Sequence, residues 1–466
     1  MASVVARALV TVDAEKASKQ DLELLKKLVM EFKDELDALG VKVDSLDKRV
    51  AVLEDRLGGW KFNGQFWFDA KFMSDADQGG NSYSYNGQDD NEFGFAYARL
   101  MITKYLDENN FFFMRLRSNV GNGDLTDWLA DRFYVSMQLP WDVKMIVGRQ
   151  QRDWELEANL RPDVMGDNEG SIWKDQKFDG FDFQKSFGML DAELIVARND
   201  DMVSKYVSGT YFNDKAWHYT DPITGEISNN ASFADDNGFM QYALKLHFNF
   251  SENFNLGLMG AYFDADNIDF SEYDNMVSDY VVSEELDLAQ YGAYLSYSFT
   301  PSIALRGYFY MQDLDDGWAG AVAHEDSPMT WSALLDIKQD VLKFTSLWVQ
   351  YIEQDNTWVG NRAADVYPGL YKPDTYPIGE DGTNKTWFIS AEQQWNDKWS
   401  SVLQYVTTDW DAQGWDDTDH YMIGVGYQYT PQIKFWLAYD YIDYNNGGGA
   451  YTGSESVVLF RTAIDF

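Results

Sequence analysis

Gly453-Ser-Glu-Ser-Val-Val-Leu-Phe-Arg-Thr-Ala-Ile-Asp-Phe466 is the stretch that decides the fold. Read with a period of two, Val458, Phe460, Ile464 and Phe466 share one face, with Thr462 between them. Leu459, Arg461, Ala463 and Asp465 share the other. A strand that runs out on an aromatic residue with no polar tail leaves an edge that recruits other chains. A closed barrel removes that edge, because the last strand pairs with the first and the apolar face meets lipid.

The same period runs through everything after Trp60. Met240, Tyr242, Leu244, Leu246, Phe248 and Phe250 alternate with Gln241, Ala243, Lys245, His247 and Asn249. Tyr421, Ile423, Val425, Tyr427 and Tyr429 form a second such face, and Ile433, Phe435, Leu437, Tyr439 and Tyr441 a third. Met329, Trp331, Ala333, Leu335 and Ile337 form a fourth. Each segment has the ~10 residues a tilted strand needs to cross a bilayer, longer than the ~5–6 typical of soluble sheets. Short connections at 107–110, 140–142, 251–254, 300–302, 396–398 and 430–432 alternate with long polar ones at 73–91, 151–176, 199–236, 264–285 and 355–383. Short turns on one side and long loops on the other are the habit of membrane barrels. Ser298-Phe-Thr-Pro-Ser-Ile303 recurs as Gln428-Tyr-Thr-Pro-Gln-Ile433, two equivalent corners of a meander. The predicted fold is an all-β transmembrane antiparallel barrel over 60–466. The count is eighteen strands, with sixteen open because 93–118 and 177–198 are weak.

Composition narrows the class. The 466 residues carry 76 acidic against 37 basic side chains, a net charge of −39. That balance excludes nucleic acid as a partner, since phosphate binding relies on Lys and Arg. Cysteine is absent, aromatics reach 16 %, and no run approaches the ~20 apolar residues of a membrane helix. No basic start followed by an apolar core opens the chain, so the reading expects a mature form or a piece of a longer protein.

Residues 22–57 follow a different period. Leu22, Val29, Leu36, Val43, Val50 and Leu57 occupy a positions, and Leu25, Phe32, Leu39, Leu46 and Leu53 occupy d. Five heptads predict an α-helical coiled-coil stalk over 21–59, ended by Gly58-Gly59 and preceded by a linker over 1–20. Valine at a with leucine at d favours two strands, while the leucines at a blur that preference.

Alternation also orders the candidate pore lining. If Phe112, Met114 and Leu116 face lipid, Arg115 and Arg117 face inward. The same rule turns Arg132 inward beside Phe133. Lys144 turns inward between Val143 and Met145, with Arg149 and Arg152 following at the strand end, and Arg99 joins them from the strand before 111–117. These six arginines (Arg99, Arg115, Arg117, Arg132, Arg149, Arg152) are the predicted basic wall. Trp348 and Trp436 fall on inward positions where a sugar could stack. The histidines His218, His247, His324 and His420 show no metal-ligand spacing, and nothing marks a nucleophile beside a base. No metal, cofactor or catalytic residue is predicted. Loop acids such as Asp75, Asp77, Asp264, Asp266, Asp416 and Asp417 could hold divalent cations or meet lipopolysaccharide.

Three resemblances follow from these residues. The C-terminal strand ending in Phe466 resembles those of bacterial outer-membrane proteins, which implies a role for Phe466 in barrel assembly. The segment 151–176, with Glu155, Glu157, Asp163, Asp167 and Glu169, resembles the loop that general diffusion porins fold into the barrel opposite an arginine cluster. Such a constriction would set a transverse field across the pore. Met1-Ala-Ser-Val-Val-Ala-Arg-Ala-Leu9 resembles the end of an S-layer homology (SLH) repeat. The stalk after it resembles that of SLH-bearing porins of the OmpM type. That family implies a homotrimer in the outer membrane, a periplasmic stalk, and peptidoglycan tethering through an SLH domain not included in this sequence. The implied function is passive diffusion of small hydrophilic solutes and ions. A sugar- or dicarboxylate-specific channel and a mainly structural anchor are the alternatives.

Overall fold

A computed structural model describes residues 24, 27, 59–74, 83, 91–118, 128–152, 176–199, 219–220, 227–228, 239–264, 288–314, 327–358, 382–412, 415–448 and 451–466. Residues 1–20 lie outside these. So does the heptad segment, apart from Leu24 and Lys27, both helical; its core positions Leu25, Val29, Phe32, Leu36, Leu39, Val43, Leu46, Val50 and Leu53 are therefore not described.

Twenty strands follow in chain order. They are β1 (Trp60–Met73), β2 (Glu92–Tyr105), β3 (Phe111–Ser118), β4 (Trp128–Leu139), β5 (Val143–Arg152), β6 (Gln176–Ser186) and β7 (Leu190–Asn199), then the two-residue pieces β8 (Tyr219–Thr220) and β9 (Ile227–Ser228). The remainder are β10 (Phe239–Ser251), β11 (Phe254–Asp264), β12 (Leu288–Thr300), β13 (Ile303–Leu314), β14 (Met329–Ile337), β15 (Ser346–Asp355), β16 (Thr383–Gln394), β17 (Trp399–Asp409), β18 (Thr418–Thr430), β19 (Ile433–Gly448) and β20 (Tyr451–Asp465). All except β8 and β9 form one 18-stranded sheet. Neighbours in sequence pair antiparallel, β7 pairs with β10, and β20 returns to β1, closing the ring. The weak stretches 93–118 and 177–198 supply β2, β3, β6 and β7, which decides eighteen over sixteen.

Two faces follow from the pleat. Outward lie Phe62, Phe68, Tyr242, Leu244, Leu258, Trp331, Trp387, Ile423, Leu437 and Phe460, all exposed on the isolated barrel. A continuous apolar exterior of this extent is a cost in water and a fit to hydrocarbon. The fold is a membrane-spanning barrel. Aromatic pairs run across this surface, among them Phe68–Phe95, Phe112–Phe133 and Phe435–Phe460, with ring centroids 5.2, 5.0 and 6.0 Å apart.

The short turns are built by side chains that satisfy backbone donors. Asp107 accepts from the N–H groups of Asn109 and Asn110 and from the Asn110 amide, at 2.9, 3.0 and 2.6 Å. Those bonds, led by the Asn110 amide, hold its carboxyl below the ordinary aspartate value. In the two Thr-Pro corners, Thr300 Oγ1 accepts from Ser302 N–H at 3.2 Å and Thr430 Oγ1 from Gln432 N–H at 3.3 Å. The sequence repeat is thus a repeat of one turn.

The last residue extends the β1–β20 seam by one more pair. Gly64 N–H donates to the Phe466 carbonyl at 2.7 Å, and Phe466 N–H to the Gly64 carbonyl at 2.9 Å. The Phe466 ring stacks on Phe66, centroids 5.6 Å apart. A methyl on Gly64 would lie 2.2 Å from Phe466 Cζ, so only glycine leaves the ring its seat.

Candidate functional site

The inner wall of β2–β4 carries arginine on three consecutive strands. The register aligns Gln65, Arg99 and Arg117 in one row across β1–β3, and Met101, Arg115 and Arg132 in the next across β2–β4. Directly opposed residues have Cα atoms roughly 4.5–5.5 Å apart, so the guanidinium groups share one patch. A shift in register between Arg115 and Leu116 marks a bulge in β4, which sets both Asp131 and Arg132 against Arg115. The bulge explains how Asp131, 1 % exposed, reaches Arg115: Arg115 Nε donates to Asp131 Oδ1 at 2.7 Å, and Nη2 donates to Oδ2. The Arg132 guanidinium donates to the Gln151 side-chain oxygen.

Arg149 departs from the expectation. Its Cα partners are Phe133, half exposed on the membrane side, and Asp179, two residues from outward Phe181. Arg149 therefore lies on the outer surface, where Nε and Nη2 each donate to a different Asp179 carboxylate oxygen at 2.8 Å. The physical reason is parity: Val143, Met145 and Val147 fix odd residues of β5 outward, and Arg149 continues that series. Inward positions of the strand are held by Ile146 and Gln150, both buried. Arg152 pairs with Gln176 along the backbone at the strand end; its side chain is outside the described residues. So is the segment bearing Glu155, Glu157, Asp163, Asp167 and Glu169.

Sequence reading did not single out three inward groupings. At the seam, Asp69 on β1 faces Arg461 on β20, with Nε–Oδ1 and Nη2–Oδ2 both 2.7 Å. The two side chains are 0 % and 6 % exposed, and Arg461 lies 5.2 Å over the Trp67 ring. Next, on the β18–β19 wall, His420 Nε2 contacts Asp440 Oδ1. Tyr83, from the β1–β2 connection, donates its hydroxyl to the same oxygen at 2.9 Å. Third, Asp336 on β14 takes Arg306 at 3.0 Å and Lys338 at 2.8 Å. Inward parity marks the strand residues among these but not Tyr83, and partnership depends on cross-strand register, which alternation does not carry. Burial, then the nearby charge of Asp440, pushes the Tyr83 phenol well above its ordinary value.

Between these charges runs a band of neutral polar groups. The Gln312 amide donates to Gln290 at 2.9 Å, the Gln350 amide donates to Ser332 at 2.9 Å, and the Thr386 and Thr408 hydroxyls meet at 3.0 Å. Trp348 and Trp436 do point inward, both buried. Arg306 lies 5.9 Å over the first ring and Lys434 3.8 Å over the second. Their faces pack against cations of the wall. Among the described residues no group of three or more His, Asp or Glu is arranged to hold a metal.

No protein-family model matches the chain, and no curated protein matches it. Solved structures do. OccK3 (OpdO) of Pseudomonas aeruginosa is 10 % identical, with a TM-score of 0.51 over 89 % of this chain and 97 % of its own. OccD3 (OpdP) of the same organism is 11 % identical, with a TM-score of 0.50 over 88 % and 91 %. An anion-selective porin from Comamonas acidovorans is 12 % identical, with a TM-score of 0.46 over 87 % and 99 %. At such identities the likeness to the two Pseudomonas aeruginosa structures is one of fold alone, over 88–89 % of this chain.

Proposed function

We propose that this protein is an outer-membrane channel for passive passage of small hydrophilic solutes and ions. One observation carries the reading: a closed 18-stranded ring that is apolar outside and lined inside by charges and amides. A barrel that only anchored the chain would have no use for Arg99, Arg117 and Arg132 turned inward on adjacent strands, because lumen charge is tolerated where water reaches it. Arg99, Arg115, Arg117 and Arg132 form the basic side of the constriction in this reading, with Glu155, Glu157, Asp163 and Asp167 of the 151–176 segment as the facing side. The heptads of 21–59 make a three-stranded periplasmic stalk, and the SLH-like start joins it to a peptidoglycan-binding domain in a longer parent chain. Acidic loops could take up divalent cations at the lipopolysaccharide layer.

Purified protein inserted in planar lipid bilayers should give stepwise conductance, grouped in threes for a trimer. Folded, heat-modifiable barrel that inserts yet passes no current would end the proposal. A reversal potential in a salt gradient that shifts when Arg99 and Arg117 are both changed to Gln would place those two residues in the conduction path.

A further inference from the structure

Tyr83 belongs to a connection between strands, yet it is buried against the barrel's inner wall. It is 3 % exposed, and its ring joins Ile442, Tyr444 and Val457, with Met73 alongside. Among the described residues, Lys71 and Asp440 make polar contacts to it. Lys71 on β1 donates its amine to the Tyr83 carbonyl at 2.6 Å, and the Tyr83 hydroxyl donates to Asp440 on β19 at 2.9 Å. Asp440 is itself fully buried and held by His420 from β18. One tyrosine thus ties the β1–β2 connection to β1, β19 and, through its ring, β20.

Nothing in the barrel's closure needs this contact. The β1–β20 ladder runs from Gln65–Asp465 to Met73–Val457 without it. A tyrosine turned inward, with its polar tip placed on a prearranged carboxylate, is instead a way to set what the outer half of the lumen presents to a solute. We propose that Tyr83 is a pore-shaping residue: bonded to Asp440, its ring is held on the β19–β20 wall and so helps define the channel's outer cross-section. This rests on the channel reading above. The hydroxyl matters because a hydrogen bond to a charged acceptor adds stabilisation well beyond that of a neutral one. Its loss raises the population with Tyr83 off the wall on the order of tenfold or more.

The test compares wild type, Tyr83→Phe, Tyr83→Ala and, as a control, Tyr291→Phe in planar bilayers. Tyr291 also donates to a carboxylate, Asp313 at 3.4 Å, but lies exposed on the membrane face. Tyr83→Phe should increase open-channel noise at nearly unchanged mean conductance. Tyr83→Ala should change the mean conductance itself, and Tyr291→Phe should leave both as in wild type. Heat-modifiability on cold gels shows whether each variant is folded. Wild type without conductance would defeat the channel reading. Conducting wild type with indistinguishable, folded Tyr83→Phe and Tyr83→Ala channels would defeat the role given to Tyr83 alone. Should Tyr83→Ala fail to fold, Tyr83→Phe decides by itself: noise equal to wild type overturns the proposal.

Discussion

The seam pair Asp69–Arg461 offers a quantitative test of how this barrel is held shut. Both N–O contacts are 2.7 Å, and both side chains are almost wholly removed from solvent. Deleting one member of a buried ion pair leaves the other charge uncompensated, at a cost of roughly 3–5 kcal/mol. Asp69→Asn should reach that range, because Arg461 then loses the carboxylate that both its Nε and Nη2 address, while its packing over the Trp67 ring at 5.2 Å stays. Arg461→Met should be milder, since Lys71 lies within electrostatic range of Asp69 and can answer part of its charge. The double variant removes both charges and should recover much of the loss, giving a coupling on the order of 1–3 kcal/mol. Urea unfolding in phospholipid vesicles, followed by tryptophan fluorescence and cold-gel mobility, measures all four proteins. If each single change cost under about 1 kcal/mol, or the two losses simply added, the pair would not be acting as a unit and the reasoning would be wrong.

Two further outcomes follow from the geometry. Gly64→Ala should drive the Phe466 ring from its stack on Phe66, losing about 0.5–1.5 kcal/mol and more if the terminal backbone bonds go with it; Phe466→Ala added to that background should then cost little, and a full second loss would show that the ring had stayed in place. Asp417 has its carboxyl raised by burial and then by Asp409, Asp416 and Asp419. Its folded form holds a proton more tightly than the unfolded chain, so the 410–417 connection gains stability as pH falls through that raised value and loses it as pH rises. Asp417→Asn should slow amide exchange there at neutral pH, and unchanged exchange would count against the assignment.

Much of this was readable in advance because lipid and lumen act on alternate residues. Tyr421, Ile423 and Val425 could be placed outward, and Arg99, Arg115, Arg117 and Arg132 inward, by counting parity from the apolar face. Arg149 was legible by the same count, since it continues the odd series of Val143, Met145 and Val147; assigning it inward let charge override parity. Asp131 could not be placed, because a bulge changes parity in mid-strand without a signature residue. The Asp440 cluster needs Tyr83, 357 residues away along the chain, and pattern within a strand carries nothing about such partners. The core positions of the heptads lie outside the described residues.

The outward Arg149–Asp179 bridge acts as a depth gauge. On β5 the membrane-facing apolar series Val143, Met145, Val147 spans about 14 Å of strand before Arg149 interrupts it, against about 27 Å from Tyr421 to Tyr429 on β18. Strands of one barrel share a similar tilt, and a charge at mid-bilayer costs roughly 2–4 kcal/mol but little near the headgroups. Arg149 and Asp179 thus mark where the apolar band on this flank gives way to polar surface, after a shorter run of strand than the Tyr421–Tyr429 face of β18 provides.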